Sequence, residues 1–195
     1  MCINAPTSLA SFIIGELSGL LLIKTGEKSR QMIGLYIMFF SLVQLFEYNI
    51  YKNINVKLNS KLLLLNLGLQ GLLLFLLINT ICKIDIIYIL IGIIVFISIL
   101  HIVINKKHKD AKVENCIKWE FLHENIATIL VLSYFFIFHL VFFNKCIYNN
   151  DFLRKSGYFF LITLIMSFII GKNIRNGPSY WCLSSAILSP LLLLL

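Results

Sequence analysis

Seven long apolar stretches, separated by short segments that contain lysine, take up nearly all of this 195-residue chain. The hydrocarbon core of a bilayer is about 30 Å thick, and an α-helix that rises about 1.5 Å per residue crosses it with roughly 20 apolar residues. The stretches approach that length, although 156–171 is short and the first and last lie at the lower limit. They are 7–23, 31–51, 62–81, 84–104, 125–143, 156–171 and 179–195.

Composition agrees with a membrane protein. A hydrophobic fraction of 59% and a mean hydropathy of +0.89 exclude an ordinary soluble domain. The apolar runs are continuous and lack the alternation of lipid-facing barrel strands, which favours helices. We therefore predict an all-α polytopic transmembrane bundle of seven spans, forming a single integral-membrane domain over residues 1–195. Six spans plus a re-entrant segment is the alternative.

The first stretch is predicted to remain as a span, because it has no basic segment before it and no small-residue cleavage site after it.

The net charge of +8 does not indicate a nucleic-acid-binding protein. The lysines and arginines are scattered over six short loops and form no continuous basic face. The predicted partner is the lipid bilayer, with anionic lipid headgroups contacting one lysine cluster. That cluster is Lys106, Lys107, Lys109 and Lys112. Nothing in the sequence determines the oligomeric state or the host compartment.

An odd number of spans would place the N-terminus and the loops 52–61, 105–120 and 172–178 on one side, which we call the motif side. Ten of the lysines and arginines lie in these loops and seven lie in the others. Because positive charge favours the cytoplasmic side, the predicted protein is a multi-pass membrane protein with a cytoplasmic N-terminus.

Polar side chains within the predicted spans collect toward the motif side. Such groups are costly in hydrocarbon and normally face the bundle interior. Gln44 and Glu47 share one helix face, as do Asn66 and Gln70. The predicted ligand pocket consists of Gln44, Glu47, His101, His123, Glu124 and Trp181.

Two roles remain open for Glu47. It either handles a proton or substrate, or it extends to the headgroups beside Tyr48 and Tyr51. Glu16 is the less favoured carboxyl, because the small residues around it suit helix contact.

The sequence predicts no metal and no cofactor. His101, His123 and Glu47 are the best candidate zinc ligands, but no pair has a diagnostic spacing. His139 lies about 24 Å along its helix from His123, so it is predicted to be an interior hydrogen-bonding histidine.

Two thiol pairs are possible, each only if its side is oxidising. They are Cys82 with Cys146 on the far side, or Cys2 with Cys182 on the motif side. Unpaired thiols are the alternative.

Both ends of the chain resemble an uncharacterised family of small seven-span membrane proteins, carried by large DNA viruses and bacteria. The opening M-C-I-N-A-P-T-S resembles the family's M-C-x-S-x-x-x-S, with Asn4 in place of the usual serine. Gln44 and Glu47 match its Q-x-x-E, and 179–182 matches its S-x-W-C. The resemblance covers roughly residues 1–51 and 177–190 and implies architecture only.

Three functions remain in competition. The first is binding or transport of a small molecule or lipid through the motif-side pocket. The second is a metal-dependent, ceramidase-like intramembrane hydrolase, for which too few histidines lie together. The third is a structural or virion-assembly membrane protein. No catalytic residue can be assigned from the sequence, and whether the chain is an enzyme stays open.

Overall fold

The computed structural model describes residues 4–105, 111–113, 117–118, 136, 137, 139, 143–171 and 177–195, and it is helical apart from one two-residue β pairing. The helices are α1 (Ala5–Lys24), α2 (Lys28–Tyr51), α3 (Val56–Asn79), α4 (Ile86–Ile104), α5 (Lys145–Asn149), α6 (Asp151–Gly171) and α7 (Gly177–Leu188), and a 3₁₀ segment (Ser189–Leu194) follows α7. The strands β1 (Lys112–Val113) and β2 (Ile117–Lys118) pair antiparallel.

Among the described residues, four helices, α1 to α4, are long and apolar enough to cross a bilayer. The predicted all-helical membrane architecture is confirmed at this level. The largest differences from the predicted starts are in α3, which begins at Val56 instead of 62, and in α6, which begins at Asp151 instead of 156. The predicted span 125–143 lies outside the described residues except at positions 136, 137, 139 and 143.

Asparagine and aspartate side chains start most of these helices. Asn4 accepts a hydrogen bond from the Thr7 amide at 3.0 Å, and Asp85 accepts one from the Ile87 amide at 3.0 Å. Asn150 accepts from the Leu153 amide at 3.0 Å. Side-chain oxygens at this position satisfy amides that have no partner within the helix. The early starts of α3 and α6 therefore follow from caps at Asn55 and Asn150 that lie before the apolar residues.

The last apolar stretch changes from α7 to the 3₁₀ segment at a proline. Pro190 has no backbone N–H and cannot donate to the carbonyl of Ala186. The Ser189 hydroxyl donates to that carbonyl oxygen instead, at 2.6 Å. The Ala186 carbonyl therefore keeps a hydrogen-bond donor where the α-helix gives way to the narrower 3₁₀ helix.

Small residues hold α1 close to α2. The buried face of α1 contains Ser8, Ser11, Gly15, Ser18 and Gly19. A Cβ atom built on Gly34 of α2 would lie 2.6 Å from the carbonyl oxygen of Gly19. Such a contact is possible only without side chains, as in many helix pairs packed in membranes.

The remaining packing fixes the direction of the later helices. Arg30 lies over the ring of Phe152 at 5.0 Å, and Tyr36 packs edge-on against Phe160 at 5.6 Å. The start of α6 therefore lies beside the start of α2, and both helices run toward the motif side. A 2.9 Å hydrogen bond between Thr163 and Ser185 joins α6 to α7.

Polar and apolar side chains are distributed as in a membrane protein. Leu17, Ile94 and Ile162 are about half exposed or more on the outer surface of their helices. Ser41, Gln44 and other polar side chains are fully buried between helices. Lipid would solvate the outer surface, and the polar groups must find their partners inside.

Candidate functional site

A buried polar cluster lies between α2, α3 and α7, in the motif-side half of the bundle. Its members are Gln44, Glu47, Asn66, Gln70 and Cys182, and each is at most 4% exposed. Glu47 is one turn before the end of α2, and Gln44 is one turn further into the bundle. Polar side chains at this depth are costly in hydrocarbon unless they are paired or functional.

Hydrogen bonds connect the α3 side of the cluster to both neighbouring helices. The Asn66 amide donates to the Phe39 carbonyl on α2 at 3.1 Å, and the Gln70 amide donates to Asn66 Oδ1 at 3.0 Å. Gln70 also hydrogen-bonds the Cys182 thiol on α7, and Glu47 lies close enough to that thiol to interact with it electrostatically. These residues therefore form one connected network.

Gln44 differs from the other amides of the cluster. Its side chain is fully buried, yet neither its nitrogen nor its oxygen has a hydrogen-bond partner among the described residues. A buried amide without partners costs about 1–3 kcal/mol per group relative to a satisfied one. Gln44 can therefore offer both a donor and an acceptor to another molecule.

A second carboxyl lies on α1. Glu16 Oε1 accepts a hydrogen bond from the Ser41 hydroxyl of α2 at 2.7 Å. Glu16 is only partly buried, and the small residues beside it form the α1–α2 contact, as the sequence predicted.

His101, a predicted member of the pocket, is exposed, whereas Gln44 and Glu47 are buried. His101 is exposed near the end of α4, where Asn105 Nδ2 lies 3.0 Å from its Nε2 atom. The described part of α4 packs mainly against α3 and not against α2.

Several predicted residues fall outside the description. Cys2, His123, Glu124, Lys106, Lys107 and Lys109 lie outside the described residues, as do the side chains of Lys112 and Trp181. Trp181 belongs to helix α7, one residue before Cys182.

The described residues contain no group of three histidine, cysteine, aspartate or glutamate side chains that could hold a metal. Of the candidate zinc ligands, His101 and Glu47 are therefore not part of such a group within the described chain, and His123 lies outside it.

A disulfide joins Cys82 to Cys146, with 5.7 Å between their Cα atoms. It links the turn after α3 to the start of α5. Cys182 is free and buried, so the alternative pair of Cys2 with Cys182 is not formed.

His139 lies near the far side, where its Nδ1 atom is 2.8 Å from the Tyr88 hydroxyl oxygen. It forms a hydrogen bond as predicted, but it is exposed and not interior. The predicted interior position of His139 was therefore wrong, and its contact with the Tyr88 hydroxyl lies at the surface of the bundle.

The sequence singled out Asn66 and Gln70 as sharing a face but did not include them in the pocket, and it treated Cys182 only as a possible disulfide partner. Only their position along the predicted spans could have indicated that these residues belong to the cluster, because all three lie in the motif-side half of a span.

No family model, curated protein or solved structure matches this chain. The resemblance of its two ends to a seven-span family remains a prediction.

Proposed function

We propose that this chain is a seven-span membrane protein that binds a small polar molecule or a lipid, or carries it across the membrane, through the buried polar cluster. The observation that carries this proposal is Gln44, whose donor and acceptor are both buried without a partner among the described residues. Beside it lies Glu47, a carboxyl that is 1% exposed. A purely structural core would be expected to satisfy the Gln44 amide internally.

Chain continuity supports the seventh span. Ala111 donates its amide to the Ser60 hydroxyl at 3.0 Å, close to the motif-side start of α3. Cys146 is bonded to Cys82, at the far-side end of α3. These two positions support a crossing between residues 111 and 146, which with α1–α4, α6 and α7 would make seven spans.

Two features support a cytoplasmic motif side. Lysine and arginine are more frequent in the motif-side loops, and the disulfide lies on the far side. Disulfides persist where the compartment is oxidising. A membrane-impermeant maleimide, added to right-side-out cells after an impermeant reductant, should label Cys82 and Cys146. Labelling only after the cells are permeabilised would reverse this orientation.

Native mass spectrometry of the protein in membrane nanodiscs tests the binding proposal. The wild-type chain should retain a small bound molecule that the Gln44→Leu and Glu47→Gln variants lose. Gln31→Leu is the matched control, because it changes the same residue type on α2 near the far side. If all four proteins carry the same bound molecules, or none, the polar cluster is not a binding site.

A further inference from the structure

We infer that Glu16 and Ser41 form a proton-binding site near the middle of the membrane, distinct from the polar cluster. In this site the Glu16 carboxyl takes up and releases one proton, and the Ser41 hydroxyl hydrogen-bonds the carboxyl in both of its protonation states. The site goes beyond the proposed function and does not depend on what the polar cluster binds. The depth of Glu16, the charges around it and the hydrogen bonds of Ser41 all support it.

Glu16 lies near the middle of helix α1. The helix has 20 residues, Ala5–Lys24, and a rise of about 1.5 Å per residue puts Glu16 roughly 12 Å from the nearer end. Glu16 is only partly buried, and about half of the surface of Ile13, Leu17 and Leu20 beside it on α1 is exposed. Hydrocarbon would surround these side chains in a bilayer, so one edge of the carboxyl would face lipid.

No basic residue of the described helices around Glu16 lies within two turns of it. Helix α1 packs against α2, α7 and the 3₁₀ segment. Lys24, the one basic residue of α1, is about 12 Å away along the helix. On α2, Lys28 and Arg30 are at least about 16 Å from Ser41, and α7 and the 3₁₀ segment contain no basic residue. A bound proton therefore removes a negative charge that these helices do not balance.

The other ionisable groups of these helices do not favour an ionised carboxyl. The nearest on α2 are Tyr36 and Glu47, which lie about 8–9 Å from Ser41 along the helix. Those on α7 are Tyr180 and Cys182, which lie toward the motif-side start of that helix. Glu47 can carry a charge of the same sign, and a like charge favours the protonated form of a carboxyl.

The Ser41 hydroxyl can bond to the carboxyl in either protonation state. Its oxygen lies 2.7 Å from Glu16 Oε1 and 2.9 Å from the Met38 carbonyl oxygen. A hydroxyl donates one hydrogen and can also accept. It donates to an ionised Glu16, whereas it accepts from a protonated Glu16 and donates to Met38. Both short contacts are hydrogen bonds at the same time only in the protonated state, so the geometry favours a bound proton.

Carbodiimide labelling of the full-length chain in phosphatidylcholine nanodiscs at neutral pH, read by peptide mass spectrometry, tests this site. A protonated carboxyl adds its O–H across a C=N bond of the reagent, and the adduct rearranges to a stable N-acylurea without losing any group. Dicyclohexylcarbodiimide, which partitions into lipid, should label Glu16 at least tenfold faster than Glu27. Glu27 is the internal control, because it is exposed in the turn between α1 and α2. A water-soluble carbodiimide should show the reverse preference.

The pH profile of the labelling tests the role of Ser41. Labelling of Glu16 should fall as the pH rises, because the carboxyl loses its proton. Ser41→Ala removes a donor to the ionised form, so labelling should persist to a higher pH than in the wild type. Ser18→Ala is the matched control, because it removes another buried serine hydroxyl from the contact face of α1. It should leave the profile unchanged.

Three results would overturn the inference. Labelling of Glu16 by dicyclohexylcarbodiimide no faster than that of Glu27 would indicate an ionised carboxyl that faces water. Protection of Glu16 by sodium ions would show that the site binds a metal cation instead of a proton. An unchanged pH profile in Ser41→Ala would exclude Ser41 from the site. The proposed function is tested separately by the loss of a bound molecule in Gln44→Leu, so either can fail without the other.

Discussion

Gln44 and Asn66 are both buried amide side chains in the bundle interior, but they differ in their hydrogen bonds. Asn66 bonds to the Phe39 carbonyl and to Gln70, whereas Gln44 has no partner among the described residues. The two residues therefore make a matched comparison of a satisfied and an unsatisfied amide within one membrane-embedded cluster.

Replacing Gln44 by leucine should raise the free energy of unfolding of the ligand-free protein by at least about 1–3 kcal/mol, because it removes two buried groups without partners among the described residues. Asn66→Leu should lower it by a similar amount, because it breaks two hydrogen bonds. Thermal unfolding in detergent, followed by circular dichroism, measures both changes. A loss of stability in Gln44→Leu would mean that this amide is satisfied in the folded protein.

Glu27, in the turn between α1 and α2, provides a pH-dependent contribution. Hydrogen bonds from Ser29 and Arg30, together with the charge of Arg30, hold the Glu27 pKa below its ordinary value of 4.5. A lowered pKa stabilises the fold above the unfolded-state value, and this contribution is lost as the pH falls through the folded-state pKa. Glu27→Gln should therefore be less stable than the wild type at neutral pH, and the difference should disappear on acidification. A difference that grows in acid would contradict this assignment.

Depth along a helix placed Gln44 and Glu47 in one pocket but did not decide whether Glu47 extends to the headgroups; both side chains are buried. Depth also did not decide the exposure of His101, because a residue near a helix end faces the bundle only if another helix covers that side. The described part of α4 packs mainly on α3, and this arrangement depends on contacts between distant segments. The prediction that Asn66 and Gln70 share a face was correct, and their hydrogen bond supports it.

The contact between α1 and α2 depends on the absence of side chains. Leucine at Gly34 would put a Cβ atom 2.6 Å from the Gly19 carbonyl oxygen, so the two helices would have to separate. Overpacking of this kind costs about 1–3 kcal/mol, and the backbone contact leaves little room to relax. Gly34→Leu should therefore lower the thermal stability.

Ala10→Leu on α1 is the control, because Ala10 is exposed on the outer surface of that helix. It should leave the unfolding transition unchanged. Equal stability of both variants would show that the α1–α2 contact can rearrange without cost.

Hydropathy located the first four helices to within a few residues at most ends, because burial in lipid requires continuous apolar sequence. It placed the starts of α3 and α6 too late, since Asn55 and Asn150 cap these helices before the apolar residues begin. Capping is a local hydrogen-bonding property, and a hydropathy pattern does not contain it.

At the scale of the whole molecule, the disulfide ties the turn after α3 to α5 across 64 residues of sequence. Cys82→Ser and Cys146→Ser should each lower the free energy of unfolding by about 2–4 kcal/mol, because each releases the same closed loop. The double variant should be no less stable than either single variant. Single effects that add would show that the thiols act independently and that the bond does not form.

The two possible thiol pairs were known from the sequence, but the choice between them was not. It depends on which cysteines the folded chain brings together, and Cys182 is instead enclosed beside Gln70 and Glu47. The contacts of Ala111 with Ser60 and of Cys146 with Cys82, at opposite ends of α3, likewise join segments that are distant in sequence.

At the end of α7, the residue that is tolerated at position 189 depends on the residue at position 190. Pro190 withdraws a backbone donor, and the Ser189 hydroxyl replaces it at the Ala186 carbonyl. Loss of the hydroxyl would be harmful while the proline remains and much less so once an ordinary residue has taken its place. Among sequences that descend from this chain, replacement of Pro190 should therefore usually precede replacement of Ser189.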